Sequence, residues 1–154
     1  MKEKVSVLIA DDNQEFSHTL STYINAQDDM QVVGMARDGE EAIEIMQDIT
    51  PDVVLLDVIM PHLDGLGVLE KISTMQINKK PICIMLSAVG QDKITQKAIA
   101  LGAEYYVVKP FDIELLMKRI REIKFFKPSQ NTNNFIAKET TKQQYIDISR
   151  EESK

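Results

Sequence analysis

Five short apolar segments follow one another along the chain, and they restrict its fold more than any other feature. They are VSVLIA (5–10), MQVVGMA (30–36), DVVLLDV (52–58), PICIML (81–86) and EYYVVK (104–109). Each is nearly continuous in apolar residues rather than alternating, which is typical of strands that are covered on both faces of a parallel sheet. The segments therefore predict a five-stranded parallel sheet between layers of helices.

Helical periodicity fills the intervals between these strands. In each interval, apolar residues recur at the spacing of an amphipathic helix. The positions are Phe16, Leu20, Tyr23 and Ile24; Ala42, Ile45, Met46 and Ile49; Leu66, Leu69 and Ile72; Ile94, Ala98 and Leu101; and Leu116, Ile120 and Ile123. The alternation predicts (βα)₅, a flavodoxin-like, doubly wound α/β fold with a parallel five-stranded sheet in the order 2-1-3-4-5.

The chain divides into one folded domain and a polar segment. Its 154 residues are 44% hydrophobic and 27% charged, which suits a single globular domain rather than a disordered chain. Residues 1–125 carry the periodic pattern, whereas residues 126–154 are rich in Asn, Gln, Thr, Ser and Lys. We expect 126–154 to be a flexible linker or tail, with a short helix near 139–150 as the alternative.

Composition also excludes several classes of function. The net charge of −6 argues against direct binding of nucleic acid, which needs a concentrated basic surface. Cys83 is the one cysteine; it excludes an internal disulfide, fits a reducing cytoplasm, and is predicted to be an inert core thiol. No apolar stretch approaches the roughly 20 residues that span a bilayer, so no membrane segment is expected.

Polar residues stand at the predicted carboxyl ends of the strands. Asp11 and Asp12 end the first strand, Asp57 the third, Ser87 the fourth and Lys109 the fifth. Right-handed crossovers place all these ends at one edge of the sheet, and strands one and three are neighbours in the predicted order. Three carboxylates should therefore meet in one crevice.

Such a cluster favours a hard divalent cation. Mg²⁺ prefers oxygen ligands and is commonly held by carboxylates together with phosphate oxygens, and Mn²⁺ or Ca²⁺ could substitute for it. Asp57 can act as a nucleophile toward phosphorus and form an aspartyl-phosphate. The metal and the Lys109 ammonium would balance the added charge, and the Ser87 hydroxyl would donate to a phosphoryl oxygen.

The same residues resemble a known family. DD at 11–12, LLDVIMPHLDG at 55–65, LSA at 86–88 and YYVVKPF at 105–111 are similar to the motifs of receiver domains of bacterial two-component response regulators. The segments MPHLDGLGVLE, LSAVGQDKIT and LGAEYYVVKPFD are most similar to the receiver domain of the stage 0 sporulation protein A family, the master sporulation regulators of spore-forming bacteria. The resemblance covers about residues 5–125.

The resemblance implies a role for each site residue. Asp57 would be the phospho-acceptor, and Lys109, joined to Pro110 by a cis bond, would contact the phosphoryl group. Asp12 and Asp57 would bind the metal directly with the main-chain carbonyl of Ile59, and Asp11 mostly through water. Ser87 and Tyr106 would form the switch pair, whose aromatic ring rotates inward when the hydroxyl moves toward the phosphoryl group.

The resemblance also implies the partners. The phosphodonor would be a histidine kinase or a histidine phosphotransfer protein, docking on the first helix and the edge loops. Phosphorylation would change the face of helix four, strand five and helix five and favour a homodimer. With a C-terminal DNA-binding domain the output would be transcription control of sporulation; the alternative is a stand-alone receiver that acts as a phosphotransfer intermediary in a phosphorelay.

A phosphatase with an aspartate nucleophile is a more distant alternative. Such enzymes usually carry an acid/base Asp two residues beyond the nucleophile, and here that residue is Ile59. Val89 holds the corresponding place after Ser87, and neither side chain can orient an attacking water. We therefore expect no enzymatic turnover and a long-lived aspartyl-phosphate.

Single members of this set have simpler explanations. Alone, Asp11-Asp12 would more often be a turn or a helix cap, with Asn13 as a further cap candidate. Tyr106 could be only a core aromatic, and His18 and His62, which lack other ligands nearby in sequence, are predicted to be surface residues. The combination at matching strand ends favours the phosphorylation site.

Overall fold

The computed structural model describes residues 3–77 and 79–125, which form alternating strands and helices. The strands are β1 (Val5–Ala10), β2 (Met30–Ala36), β3 (Val53–Asp57), β4 (Ile82–Ala88) and β5 (Tyr105–Lys109). The helices are α1 (Gln14–Asn25), α2 (Gly39–Asp48), α3 (Gly65–Thr74), α4 (Asp92–Ala100) and α5 (Ile113–Phe125). The predicted (βα)₅ alternation is confirmed, and the predicted tail over 126–154 lies outside the described residues.

All strand pairs are parallel, and the sheet order is β2-β1-β3-β4-β5, as predicted for a flavodoxin-like fold. Asp57 at the end of β3 pairs with Leu86, and Lys109 at the end of β5 pairs with Ala88. The register therefore aligns the strand ends from which the predicted site residues come.

The core has two layers, one on each face of the sheet. Because strand side chains alternate between faces, Leu8 and Leu56 pack with α2, α3 and α4, while Ile9 and Leu55 pack with α1 and α5. All four side chains are buried completely, and each contributes about 1.5–3 kcal/mol by leaving water. This two-sided burial explains why the strand segments are almost continuously apolar.

The edge strand β2 departs from that expectation. Gln31 and Met35 are exposed, and Met35 keeps 45% of its accessible surface. β2 lies at the margin of the sheet with β1 as its strand neighbour, so it is not covered on both faces along its whole length.

Two apolar residues that were predicted to lie on inward helix faces are exposed instead. Ile49 is 45% exposed and Leu101 is 40% exposed. Ile49 follows the last residue of α2 in extended conformation, and Leu101 follows α4 just before Gly102, whose φ is +119°. Both helices end one residue earlier than the apolar pattern predicts.

The helices begin in different ways. Side-chain oxygens cap three first turns: Asn13 accepts from the Phe16 N–H, Asp38 from the Glu41 N–H and Asp64 from the Gly67 N–H. Within the described residues, α4 begins after Gln91 without a side-chain cap hydrogen bond. In the same part of the chain, no helix is both long and apolar enough to cross a bilayer.

Candidate functional site

An acidic cluster lies at the carboxyl edge of the sheet. Asp11 and Asp12 follow β1 and Asp57 ends β3, and one carboxylate oxygen of each lies within 4.8 Å of the others. Asp11 is buried, Asp12 is exposed and Asp57 is half-buried. The sheet order brings together these three residues, as the sequence predicts.

Asp11 is buried as part of an ion pair. Its Oδ2 lies 2.6 Å from the Lys109 Nζ, and its Oδ1 accepts a hydrogen bond of 2.9 Å from the Asn13 N–H. A buried charge needs such partners, because losing water without them is costly. Both carboxylate oxygens of Asp11 therefore already have donors.

Lys109 reaches the cluster from β5. Its Nζ lies 3.8 Å from Asp57 Oδ2 and 4.3 Å from the centroid of the Phe16 ring, which meets Phe111 edge to face. The ring face attracts the ammonium and helps to hold it between the two carboxylates. Pro110 follows through a cis bond, as expected. Helical spacing indicated only that Phe16 faces the protein, so its contact with Lys109 was not predicted.

The surroundings of Asp57 resist its ionisation. Burial and the charge of Asp11 raise its pKa from 3.8 to about 7, although Lys109 and the Ile59 N–H, 3.4 Å from Oδ1, act in the opposite direction. Near neutral pH the carboxyl is therefore partly protonated when no cation is bound. A cation at the cluster would favour its charged form.

Gly65 permits the close approach of α3 to the back of Asp57. A Cβ at this position would lie 2.5 Å from the Asp57 carbonyl oxygen, and the Gly65 N–H donates to the Val58 carbonyl at 2.9 Å. A larger residue here would displace the main chain that carries the acceptor carboxyl.

Ser87 is completely buried at the end of β4, and its hydroxyl contacts α4. Ser87 Oγ lies 2.8 Å from Thr95 Oγ1, which also lies 2.7 Å from the Gln91 carbonyl oxygen. The sequence indicated Ser87 but not Thr95. A hydroxyl on the inner face of a helix looks like an ordinary packing residue unless its partner on the strand is known.

Tyr106 is buried on the face of the sheet that packs against α4. It is only 6% exposed and packs in the same buried cluster as Ala98 and Ala103, whereas Tyr105 faces the opposite layer, as predicted. The ring is thus already inside while the Ser87 hydroxyl contacts α4. The exchange of hydroxyl and ring on phosphorylation stays a prediction.

Comparison with known proteins agrees with this geometry. The sequence model described as "Response regulator receiver domain" matches residues 7–121. The chain belongs to the response regulator receiver domain family. Solved structures of bacterial receiver domains share this fold.

Three of these solved structures illustrate the likeness. The response regulator domain of CheB from Thermotoga maritima is 31% identical, with a TM-score of 0.73, over 82% of this chain and 100% of that one. The receiver domain of AraT from Geobacillus stearothermophilus is 30% identical (TM-score 0.69; 78% and 92% covered). The receiver domain of the Francisella response regulator 1452 is 28% identical (TM-score 0.69; 78% and 96% covered).

The acidic cluster of this receiver fits a hard cation. Receiver domains bind Mg²⁺ at an acidic cluster, and Asp11, Asp12 and Asp57 form one here. The donor set is all oxygen, which Mg²⁺ prefers, and burial and the charge of Asp11 raise the pKa of Asp57, so a bound cation would favour its ionised form.

The remaining candidate residues of the receiver are on its surface or in its core. Ile59 and Val89, two residues after Asp57 and Ser87, are 52% and 68% exposed. His18 and His62 are exposed, as predicted. Burial raises the pKa of the Cys83 thiol to about 12, so it is the inert core residue that the sequence indicated.

Proposed function

We propose that this receiver domain accepts a phosphoryl group on Asp57 from the phosphohistidine of a histidine kinase or a histidine phosphotransfer protein. The observation that carries the proposal is the position of the Asp57 carboxyl, 3.8 Å from the Lys109 ammonium inside an acidic crevice. Its side chain keeps 14% of its surface, which leaves a path for a donor. Receiver domains generally accept phosphate from histidine kinases, which supports this class of partner.

The transfer replaces one bond to phosphorus with another. A carboxylate oxygen of Asp57 forms a bond to phosphorus while the phosphorus–nitrogen bond of phosphohistidine breaks, and the electron pair stays on the imidazole nitrogen. Lys109 faces the added phosphoryl oxygens with its ammonium, and the Ile59 N–H holds the other carboxylate oxygen. Lys109 and the Ile59 N–H orient and stabilise the phosphoryl group, and only Asp57 forms a covalent bond to it.

The proposed metal ligands follow from which oxygens are available. Both oxygens of Asp11 already accept bonds, so Asp11 would act on Mg²⁺ through water. The resemblance implies that Asp12, Asp57 and the main-chain carbonyl of Ile59 would hold the ion directly. The ion supplies positive charge against the phosphoryl oxygens, and Mn²⁺ or Ca²⁺ could replace it.

Each domain accepts one phosphoryl group and does not act as an enzyme with turnover. Ile59 and Val89 are expected to flank the phosphoryl group on Asp57. Both side chains are apolar and exposed, and neither can orient a water for attack on phosphorus. Self-dephosphorylation is therefore slow.

Intact mass after incubation with acetyl phosphate and Mg²⁺ tests the acceptor. The wild type should gain one phosphoryl group, and Asp57→Asn should gain none. Asp52→Asn is the matched control, because Asp52 precedes the same strand and should leave the gain unchanged. A phosphorylated Asp57→Asn protein would overturn the assignment.

The proposed output is transcription control of sporulation in the cytoplasm, through a C-terminal DNA-binding domain. Its support is the similarity of segments such as MPHLDGLGVLE to the stage 0 sporulation protein A family. Phosphorylation would favour a homodimer through α4, β5 and α5, which size exclusion of the phosphorylated protein would detect. Transfer of the label from Asp57 to a second histidine protein would instead indicate a phosphorelay intermediary.

A further inference from the structure

Thr95 contacts the hydroxyl of Ser87, the residue that is expected to move toward a phosphoryl group on Asp57. Ser87 and Thr95 are 0% and 2% exposed, so water does not satisfy these hydroxyls. The distance of 2.8 Å between the two oxygens is short enough that one hydroxyl must donate to the other. The direction of that donation decides what Ser87 can do.

The Gln91 carbonyl fixes the direction. Its oxygen lies 2.7 Å from Thr95 Oγ1 and can only accept, so Thr95 donates its single hydroxyl proton to Gln91. Thr95 then has lone pairs but no proton for Ser87. Ser87 must therefore donate to Thr95, and its proton is committed to α4 rather than to a ligand at Asp57.

The geometry points to Thr95 as a positioning residue that keeps the Ser87 hydroxyl turned toward α4 until a phosphoryl oxygen on Asp57 competes for its proton. This inference rests on the proposed function, since it needs a phosphoryl group at Asp57. When Ser87 turns away, Thr95 keeps its own donation to Gln91 and loses only an accepted bond. The exchange leaves no buried donor unsatisfied, so it carries little penalty.

The start of α4 is built to respond to this exchange. Within the described residues α4 has no side-chain N-cap bond, whereas α1, α2 and α3 have one each. The start of α4 is instead tied to the end of β4, because the Ala88 N–H donates to Gln91 Oε1 at 2.7 Å and Ser87 bonds to Thr95. Withdrawal of the Ser87 hydroxyl removes one of these links and loosens α4 on β4.

Three variants test the inference on the full 154-residue chain. Thr95→Val keeps the shape and removes the acceptor, and Thr95→Ser keeps the acceptor. Thr22→Val is the matched control, because Thr22 Oγ1 donates to the His18 carbonyl four residues earlier, as Thr95 does to Gln91, but far along the exposed face of α1. The probe is beryllium fluoride with Mg²⁺, which mimics a phosphoryl group on a carboxylate.

Thr95→Val should bind the probe about tenfold more tightly than the wild type, because the free form then contains a buried hydroxyl without its acceptor. Calorimetric titration measures this change. Thr95→Ser and Thr22→Val should stay within about twofold, as expected when no buried hydroxyl loses its partner. In a Ser87→Ala background, Thr95→Val should no longer change the affinity, which a merely structural role of Thr95 would not produce.

The inference would be overturned if Thr95→Val raised the affinity for beryllium fluoride equally in the wild-type and Ser87→Ala backgrounds. It would also be overturned if Thr95→Ser behaved like Thr95→Val. Urea unfolding without the probe checks the bond itself, since Ser87→Ala and Thr95→Val should be non-additive, and additive effects would contradict it. Absence of probe binding by the wild type would overturn the proposed function and the positioning role together. Normal phosphorylation of Asp57 with no effect of Thr95→Val would overturn the positioning role alone.

Discussion

The two ends of β3 carry the same side chain in opposite surroundings. Asp52 precedes the strand at the amino edge; its Oδ2 accepts bonds from the Ser6 N–H and hydroxyl, and its Oδ1 lies 3.3 Å from the Lys79 Nζ. Asp57 ends the strand beside Asp11 and Asp12. Asp52 has donors on both oxygens, whereas Asp57 shares Lys109 with a second carboxylate and lies beside a third.

The pKa values of the two residues move in opposite directions as a result. Burial would raise the pKa of Asp52, but the Ser6 and Lys79 hydrogen bonds outweigh it and lower the pKa below 3.8. At Asp57, burial and the Asp11 charge together raise the pKa to about 7. Asp52 is thus satisfied within the protein, whereas Asp57 needs a cation from outside.

Removing the lysine at each end should give the largest difference. Lys109→Met leaves the buried Asp11 without its cation and should cost about 3 kcal/mol of unfolding free energy in metal-free buffer. It should also nearly abolish phosphorylation of Asp57. Lys79→Met should cost less than about 0.5 kcal/mol, because 74% of the Lys79 side chain is exposed. Urea unfolding of both variants measures this, and similar losses would contradict the distinction between the two ends.

Removing each carboxylate charge should give changes of opposite sign. In metal-free buffer at pH 8, Asp57→Asn should stabilise the protein by about 1–2 kcal/mol after allowance for solvent screening. Asp52→Asn should destabilise it by about 1 kcal/mol through weaker hydrogen bonds from Ser6.

The pH dependence of stability distinguishes these two effects. The pKa of Asp57 is raised on folding, so its contribution is fully present below about pH 3.8 and is lost as the pH rises through about 7. The advantage of Asp57→Asn should therefore shrink as the pH falls from 8 to 5. The pKa of Asp52 is lowered, so its contribution is lost only as the pH falls below 3.8. An advantage of Asp57→Asn that is constant from pH 5 to 8 would show that the charge is not its cause.

Mg²⁺ should stabilise the protein through the carboxylates at the Asp57 end of β3 and not through Asp52. In tenfold excess over its dissociation constant, the ion should stabilise the wild type by about 1.4 kcal/mol. Protons compete for Asp57, so the affinity should weaken as the pH falls through about 7. Thermal unfolding with and without Mg²⁺ measures both. Asp12→Asn should lose the effect and Asp52→Asn should keep it; an equal loss in both would exclude the acidic cluster as the site.

The sequence predicted which side chains lie together at this edge of the sheet, because these residues share a topological position. Asp11, Asp57 and Lys109 each end an apolar strand, and parallel strands place such ends at one edge. The same argument does not reach Phe16 or Thr95, whose roles depend on which way a helix face is turned. The hydrogen bonds between Ser6 and Asp52 were also not predicted. A single polar residue in an apolar segment does not indicate which residue of the neighbouring strand it contacts.

The fold prediction was confirmed, but the expected burial was wrong for the edge strand β2 and for Ile49 and Leu101. The burial of β2 depends on its place at the margin of the sheet, and the exposure of Ile49 and Leu101 depends on where their helices end. An apolar pattern records which side chains prefer burial, but a helix ends where the backbone leaves the helical conformation. Gly102, with its φ of +119°, marks such a point after α4.

The last expected effect is on a rate rather than on stability, and it concerns water at the phosphorylated Asp57. Asp52 has polar neighbours, whereas Ile59 and Val89, which we expect to flank the phosphoryl group on Asp57, are apolar and 52% and 68% exposed. The double substitution Ile59→Asn and Val89→Glu supplies groups that can orient a water toward phosphorus. The aspartyl-phosphate should then decay about tenfold faster, which corresponds to about 1.4 kcal/mol of activation free energy. Intact mass against time after removal of the phosphodonor gives the rate. Because both side chains are exposed, the double variant should keep its unfolding free energy, so an unchanged decay rate would show that water access at this site is not controlled by these two residues.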